Sequence, residues 1–124
     1  MTQSFVPKHF ERTRLASGRV LSDSQQHQYD VLRTVGGKLV KGKDAWYREV
    51  PYTDVQKQTG VVREKIYGLN LTAMFKLVEL GLAECLDDAT SGGFLFLLPA
   101  LAKDVPGRRY TRVNQTLKVT QGAS

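Results

Sequence analysis

An α+β chain, with about three helices and a small antiparallel C-terminal sheet, is the fold class this sequence predicts, on three observations. Ser22-Asp23-Ser24 offers helix caps ahead of an apolar stripe. A start signal at Thr53 and a turn at Thr59-Gly60 precede Ile66, Leu69, Ala73, Leu77 and Leu80, which recur at helical spacing. Beyond Leu82 the period changes to short strand-like runs between turn clusters.

Residues 1–21 carry Lys8, Arg12, Arg14 and Arg19 against Glu11 alone, with Pro7 and Gly18 as punctuation. They read either as a solvated tail or as a basic arm following a phosphate backbone. Phe5, Phe10 and Leu15 favour a segment that packs on something. The main domain is expected over 22–120, with 121–124 as a tail. Its first helix reads from 25 to about 40 on Val31, Leu32, Val35 and Leu39, or ends at Gly36. Residues 38–44 read as a Lys- and Gly-rich loop. Trp46, Tyr47, Val50 and Tyr52 read as a strand, with Trp46 in the core.

Pro51 marks extended chain before Thr53, whose hydroxyl can cap a short helix while Gln56 reaches back to its amide. The second helix of this pair then runs to Gly81. It carries more apolar residues than one face needs: Leu71, Met74, Phe75 and Val78 either pack beneath the first helix or bury against a second subunit. Further on, 83–88 reads as a strand, 89–93 as a turn and 94–98 as a strand covered on both faces, stopped by Pro99. A loop over 103–109 contains Pro106-Gly107. The alternation over 110–120 reads as one half-buried strand.

A short capped helix, a glycine turn and a longer amphipathic helix form the helix-turn-helix layout, whose second helix enters a major groove. Through Thr53, Val55, Gly60, Val61, Ile66, Leu77 and the run from Glu79 to Leu82, residues 22–120 resemble the winged helix-turn-helix family, loosely its MarR-like branch of bacterial and phage regulators. The resemblance implies a winged fold with a recognition helix over about 62–80. The chain departs from the family in two ways. Gly60 to Gly81 is about one helical turn longer than usual, and Gly68 stands where the family often has a polar or basic residue.

The bulk composition fits a nucleic-acid partner. In 124 residues, 18 Lys and Arg stand against 12 Asp and Glu, a net charge of +6. The isoelectric point is near 9.6, which favours a polyanionic partner. Cys85 is the sole cysteine and His9 and His27 the sole histidines, so neither a disulfide framework nor a metal site is expected. No secretory leader is visible and no apolar run reaches membrane-spanning length, so a cytoplasmic chain is expected. There is no nucleophile motif and no phosphate loop after a strand, so neither catalysis nor a cofactor is expected. Asp87-Asp88 reads as the solvating end of a strand and Cys85 as a small buried apolar residue.

On the winged arrangement, three basic groups would face one duplex. Arg63, Lys65, Tyr67 and Asn70 would read bases, with Arg forking onto guanine and Asn onto adenine. Lys57, between Gln56 and Gln58, would hold phosphate. Arg108, Arg109 and Arg112, with Lys103, would form the wing. The expected function is sequence-specific double-stranded DNA binding by a small homodimeric transcriptional regulator. The alternative is a protein-interaction module on the same scaffold, docking on RNA polymerase or another transcription or replication factor. Single-stranded nucleic-acid binding ranks last, because exposed aromatics interleaved on a sheet are missing from the pattern.

Overall fold

The computed structural model describes residues 10–88, 92–113 and 116–123. In chain order they form α1 (Asp23–Thr34), β1 (Lys38–Lys41), β2 (Trp46–Thr53), β3 (Thr59–Ile66), α2 (Leu71–Glu79), β4 (Glu84–Asp87), β5 (Phe94–Leu97), α3 (Pro99–Ala102), β6 (Gly107–Val113) and β7 (Thr116–Ala123). All described strands join one antiparallel sheet in the order β3-β2-β1-β5-β4-β6-β7. Strand outweighs helix, 38% against 24%, which overturns the winged helix-turn-helix expectation.

The decisive difference lies at 53–66. The expected positioning helix and the first part of the recognition helix are instead a β-hairpin, β2–β3, paired without interruption from Trp46↔Ile66 to Thr53↔Thr59. Thr53 closes the strand, and the residue that organises the turn is its neighbour. Asp54 Oδ1 accepts the amides of Gln56 and Gln58, each at 2.9 Å. This is an Asx-type turn, and short polar side chains serve helix starts and such turns equally. Lys57 takes the left-handed conformation that the turn requires, with φ 63°. The strands are locked side to side by Arg48, whose Nε and Nη2 both donate to Glu64 Oε1. Only nine residues remain helical in α2, which Asn70 caps after Gly68 turns the chain at φ +82°.

Other elements follow the sequence closely. Ser22 and Gln25 form a reciprocal capping box at α1, which ends at Thr34 just before Gly36-Gly37. Both α1 and α2 close through a bond from the sixth residue back to the first: Gly37 N to Leu32 O at 2.8 Å, and Leu82 N to Leu77 O at 2.9 Å. The expected loop at 38–44 is partly strand: β1 buries Leu39 and Val40 completely while its lysines are neutralised or tucked in. Lys38 pairs with Glu49 at 2.6 Å, and Lys41 donates to the Gly42 carbonyl. The single strand expected over 110–120 is two strands, β6 and β7, paired antiparallel up to Val113↔Thr116; residues 114 and 115 lie outside the described residues.

Residues 10–21 fold onto α1. Phe10 stacks on the Arg33 guanidinium at 3.9 Å, Thr13 N donates to Gln26 Oε1 at 2.7 Å, and Leu21 is buried. The part of the expected arm at 1–9, with Phe5, Lys8 and His9, lies outside the described residues.

The main core lies on one face of the sheet, beneath α1 and α2. Leu39, Trp46, Ile66, Cys85 and Phe96 meet Val31 and Leu32 of α1 and Met74, Phe75 and Leu77 of α2. Phe75 packs edge-on to Phe96 at 5.3 Å and Phe94 at 5.9 Å. Met74 and Phe75, which sequence left open as dimer contacts, are therefore core. On the opposite face α3 covers Leu86 and Leu97, so β5 is apolar on both sides, as its sequence suggested.

The sheet is strongly coiled. On a flat sheet Arg63 of β3 and Asp88, next after β4, would stand about four strand spacings apart, roughly 19 Å. Yet Arg63 Nη2 lies 3.0 Å from Asp88 Oδ2. The β2–β3 hairpin must therefore arch over the face that carries Val40, as a right-handed twist accumulated over several strands allows. Lys38, Glu49, Arg63 and Asp88 form one ion-pair chain beneath that arch.

Candidate nucleic-acid interface

The outer half of the β2–β3 hairpin leaves the body of the protein. Every residue from 51 to 59 is exposed, whereas Trp46 and Ile66 at its base are buried. From Pro51 to the tip this amounts to a two-stranded ribbon projecting about 17 Å. Its tip presents Gln56, Lys57 and Gln58, and the one carboxylate in the loop, Asp54, is turned onto the loop's own amides. The tip thus presents one exposed ammonium flanked by two exposed carboxamides, with Lys57 and Asp54 balancing in formal charge. At the base Lys65 is exposed on β3, and the β1–β2 turn adds exposed Lys43.

The expected base-reading set is scattered by this arrangement. Arg63 is committed to Asp88 at 3.0 Å and Glu49 at 3.5 Å. Lys65 and Tyr67 remain exposed, Tyr67 to 73%. Asn70 caps α2, its Oδ1 accepting the Ala73 amide at 3.1 Å, and its own amide donates to buried Gln28 Oε1 at 3.0 Å. Asn70→Ala is accordingly expected to lower stability by about 1 kcal/mol in urea titrations. A loss of duplex affinity without a loss of stability would instead restore Asn70 as a reading group.

The expected wing is also divided. Arg109 is buried, with Nε on Glu84 Oε1 at 3.0 Å and Nη2 on the Ala102 and Val105 carbonyls at 2.7 and 2.8 Å. Arg112 donates to Thr72 Oγ1 at 2.9 Å and lies over the Phe75 ring. Arg108 and Lys103 are exposed. Of the named groups, then, Lys57 and Lys65 lie on the hairpin and face solvent, while Arg63, Asn70, Arg109 and Arg112 hold the fold.

Sequence reasoning missed the exposed apolar residues of the hairpin: Val55 at 98%, Val61 at 58% and Val62 at 48%. The helical reading takes Val55 as the apolar residue of the short helix and Val61 as a family match, and gives Val62 no role. It also missed the cleft of about 580 Å³ between α1, α2 and β6, lined by Ser22, Gln25, Asn70, Thr72, Lys76 and Arg112. Cys85 is fully buried, and burial together with Asp87 pushes its thiol pKa far above the ordinary range. The Tyr110 hydroxyl donates to Asp87 Oδ2 at 2.8 Å, which raises its pKa too. Among the described residues no group of three His, Cys, Asp or Glu side chains could hold a metal ion. No helix among them is long and apolar enough to cross a membrane.

Fold and site together define an open, coiled antiparallel sheet with a projecting two-stranded ribbon. Comparisons with family models, curated proteins and solved structures find no match to this chain.

Proposed function

We propose that this protein binds double-stranded DNA, and that the β2–β3 ribbon, in place of a recognition helix, is the element that enters the duplex. The observation that carries this reading is the tip itself: Gln56, Lys57 and Gln58 exposed, with the neighbouring carboxylate of Asp54 spent on the loop. A B-DNA major groove, about 12 Å wide and 8.5 Å deep, admits a two-stranded ribbon. Within it the carboxamides fork onto adenine edges and the ammonium reaches guanine or phosphate. Lys65 and Lys43 at the base suit phosphate contacts, in keeping with the +6 charge.

The test is binding to a random-sequence duplex across a salt series. Lys57→Gly is the informative variant, because glycine accepts the φ of 63° and the turn keeps its shape. It is expected to leave stability unchanged or slightly raised and to lower the salt slope of log affinity by about one. Absence of binding even at about 50 mM salt would sink the reading.

A second reading, docking on a transcription or replication protein, is favoured by the exposed Val55, Val61 and Val62. In that case Lys57→Gly leaves the protein complex intact, and the wild type shows no salt-sensitive duplex binding.

A further inference from the structure

We infer that β3 is a dimer edge: two copies of this chain pair antiparallel through β3, about a twofold axis at Val62, into one continuous sheet. Among the described strands β3 has a free side, and its eight residues contain neither proline nor bulge. Long regular edges are normally blunted. The opposite edge strand, β7, carries a register shift against its neighbour between Gly107 and Arg109 of β6.

The direction of the backbone groups can be read from the hairpin. Asp54 N donates to Gln58 O, and Pro51, which has no amide hydrogen, stands opposite Val61. Alternation along an antiparallel pair then turns the amides of Gly60, Val62, Glu64 and Ile66 toward β2. Those of Thr59, Val61, Arg63 and Lys65 face outward. The charges that would deter a partner are mostly tied to the home sheet, Glu64 by Arg48 and Arg63 by Glu49 and Asp88. What remains presented at mid-strand is Val61 and Val62, 58% and 48% exposed.

Charge selects the register. An axis at Arg63 or Glu64 sets that residue against its own copy, and the Glu64 axis also sets Arg63 against Lys65. An axis at Val62 gives the longest ladder with no like charges opposed: Val62 meets Val62, Val61 meets Arg63, Gly60 meets Glu64 and Thr59 meets Lys65. The same register fixes the separation of the tips. Lys57 lies five residues from Val62, so the two tips stand ten residues apart along the paired strands, about 34 Å. Because the paired strands run in opposite directions, the tips point away from each other, and the dimer edge stands independently of the ribbon reading above.

The test uses the full chain. Sedimentation should show a dimer. Val62→Cys, treated with a thiol oxidant, should give a disulfide-linked dimer. Residues directly opposed in a non-hydrogen-bonded pair have Cα atoms about 4.5 Å apart, within disulfide reach. Buried Cys85 stays silent, and Val55→Cys, far from the axis though 98% exposed, gives only collisional background. Val62→Lys, with like charges on the axis, should sediment as a monomer. A wild type that stays monomeric, or a Val62→Cys yield no higher than Val55→Cys, overturns the dimer edge even if DNA is bound. A cross-linked dimer that ignores DNA upholds the edge and overturns the DNA reading. Should Val62→Lys fail to fold by circular dichroism, the cysteine pair decides alone.

Discussion

Replacing Arg109 with methionine is expected to cost about 2–4 kcal/mol of stability, somewhat under the range for a fully buried ion pair because the Glu84 side chain is 33% exposed. Arg109 is 6% exposed, and its guanidinium satisfies four acceptors: Glu84 and the carbonyls of Ala102, Val105 and Gly107. The helix α3 has only four residues, and its last carbonyl, Ala102 O, accepts both the Val105 amide at 3.0 Å and Arg109 Nη2 at 2.7 Å. Arg109 reaches it from the neighbouring strand and so holds α3 over Leu86 and Leu97. Arg109→Lys keeps the charge but not the planar fork, and an intermediate loss is expected. Urea unfolding with an unchanged slope would measure both. On the ribbon reading proposed above, the variant should retain duplex binding under folded conditions, because the Arg109 side chain faces the protein interior. A methionine variant within about 1 kcal/mol of wild type would show that the fork is not what secures α3.

Arg109 also shows what a sequence of this kind conceals. Together with Arg108 it reads as a basic tip, and Arg63 with Lys65 reads as a reading group, because charge is visible in sequence and partnership is not. The carboxylates that engage Arg109 and Arg63, Glu84 and Asp88, each lie 25 residues away. Where the deciding interaction is local, the reading holds: the Ser22 cap, the end of α1 before Gly36, the stop at Gly81, and β4 and β5 with Trp46 in the core.

The hairpin fails that test. Thr53 and Gln56 carry a helix-start pattern, but Asp54 caps a turn with the same chemistry, and the ladder to β2 that settles the choice is non-local. Two local signals did point the right way. Gly68 in the middle of an expected helix, and one helical turn too many between Gly60 and Gly81, both mark the place where a strand and a turn precede α2. The adjacent β-branched Val61 and Val62 fit an exposed strand better than a groove-facing helix.

Gly93→Ala is expected to be the most damaging single-methyl change, at about 3 kcal/mol, the upper part of the overpacking range. A Cβ on Gly93 would lie 2.0 Å from the Lys41 carbonyl oxygen, 3.0 Å from its carbon and 3.2 Å from the Gly42 Cα. These are backbone atoms, so no rotamer change relieves the contact. The clash falls beside the Lys41↔Phe94 pair that ends the β1–β5 ladder. That ladder is the sole join, among the described strands, between β3-β2-β1 and β5-β4-β6-β7. Relief requires the join to open at Phe94, whose ring also packs against Phe75. Gly92→Ala is the control: no atom lies within 4 Å of its Cβ, and only the φ of +77° is unfavourable, which costs about 1–2 kcal/mol. Urea midpoints rank the two variants, and hydrogen exchange locates the damage. Loss of amide protection in Gly93→Ala should begin at β1 and spread to the ribbon that hangs from it. Equal losses in the two variants, with β1 protected in both, would mean that the strands can separate here at little cost, and the arch over Val40 would then need another anchor than this close approach.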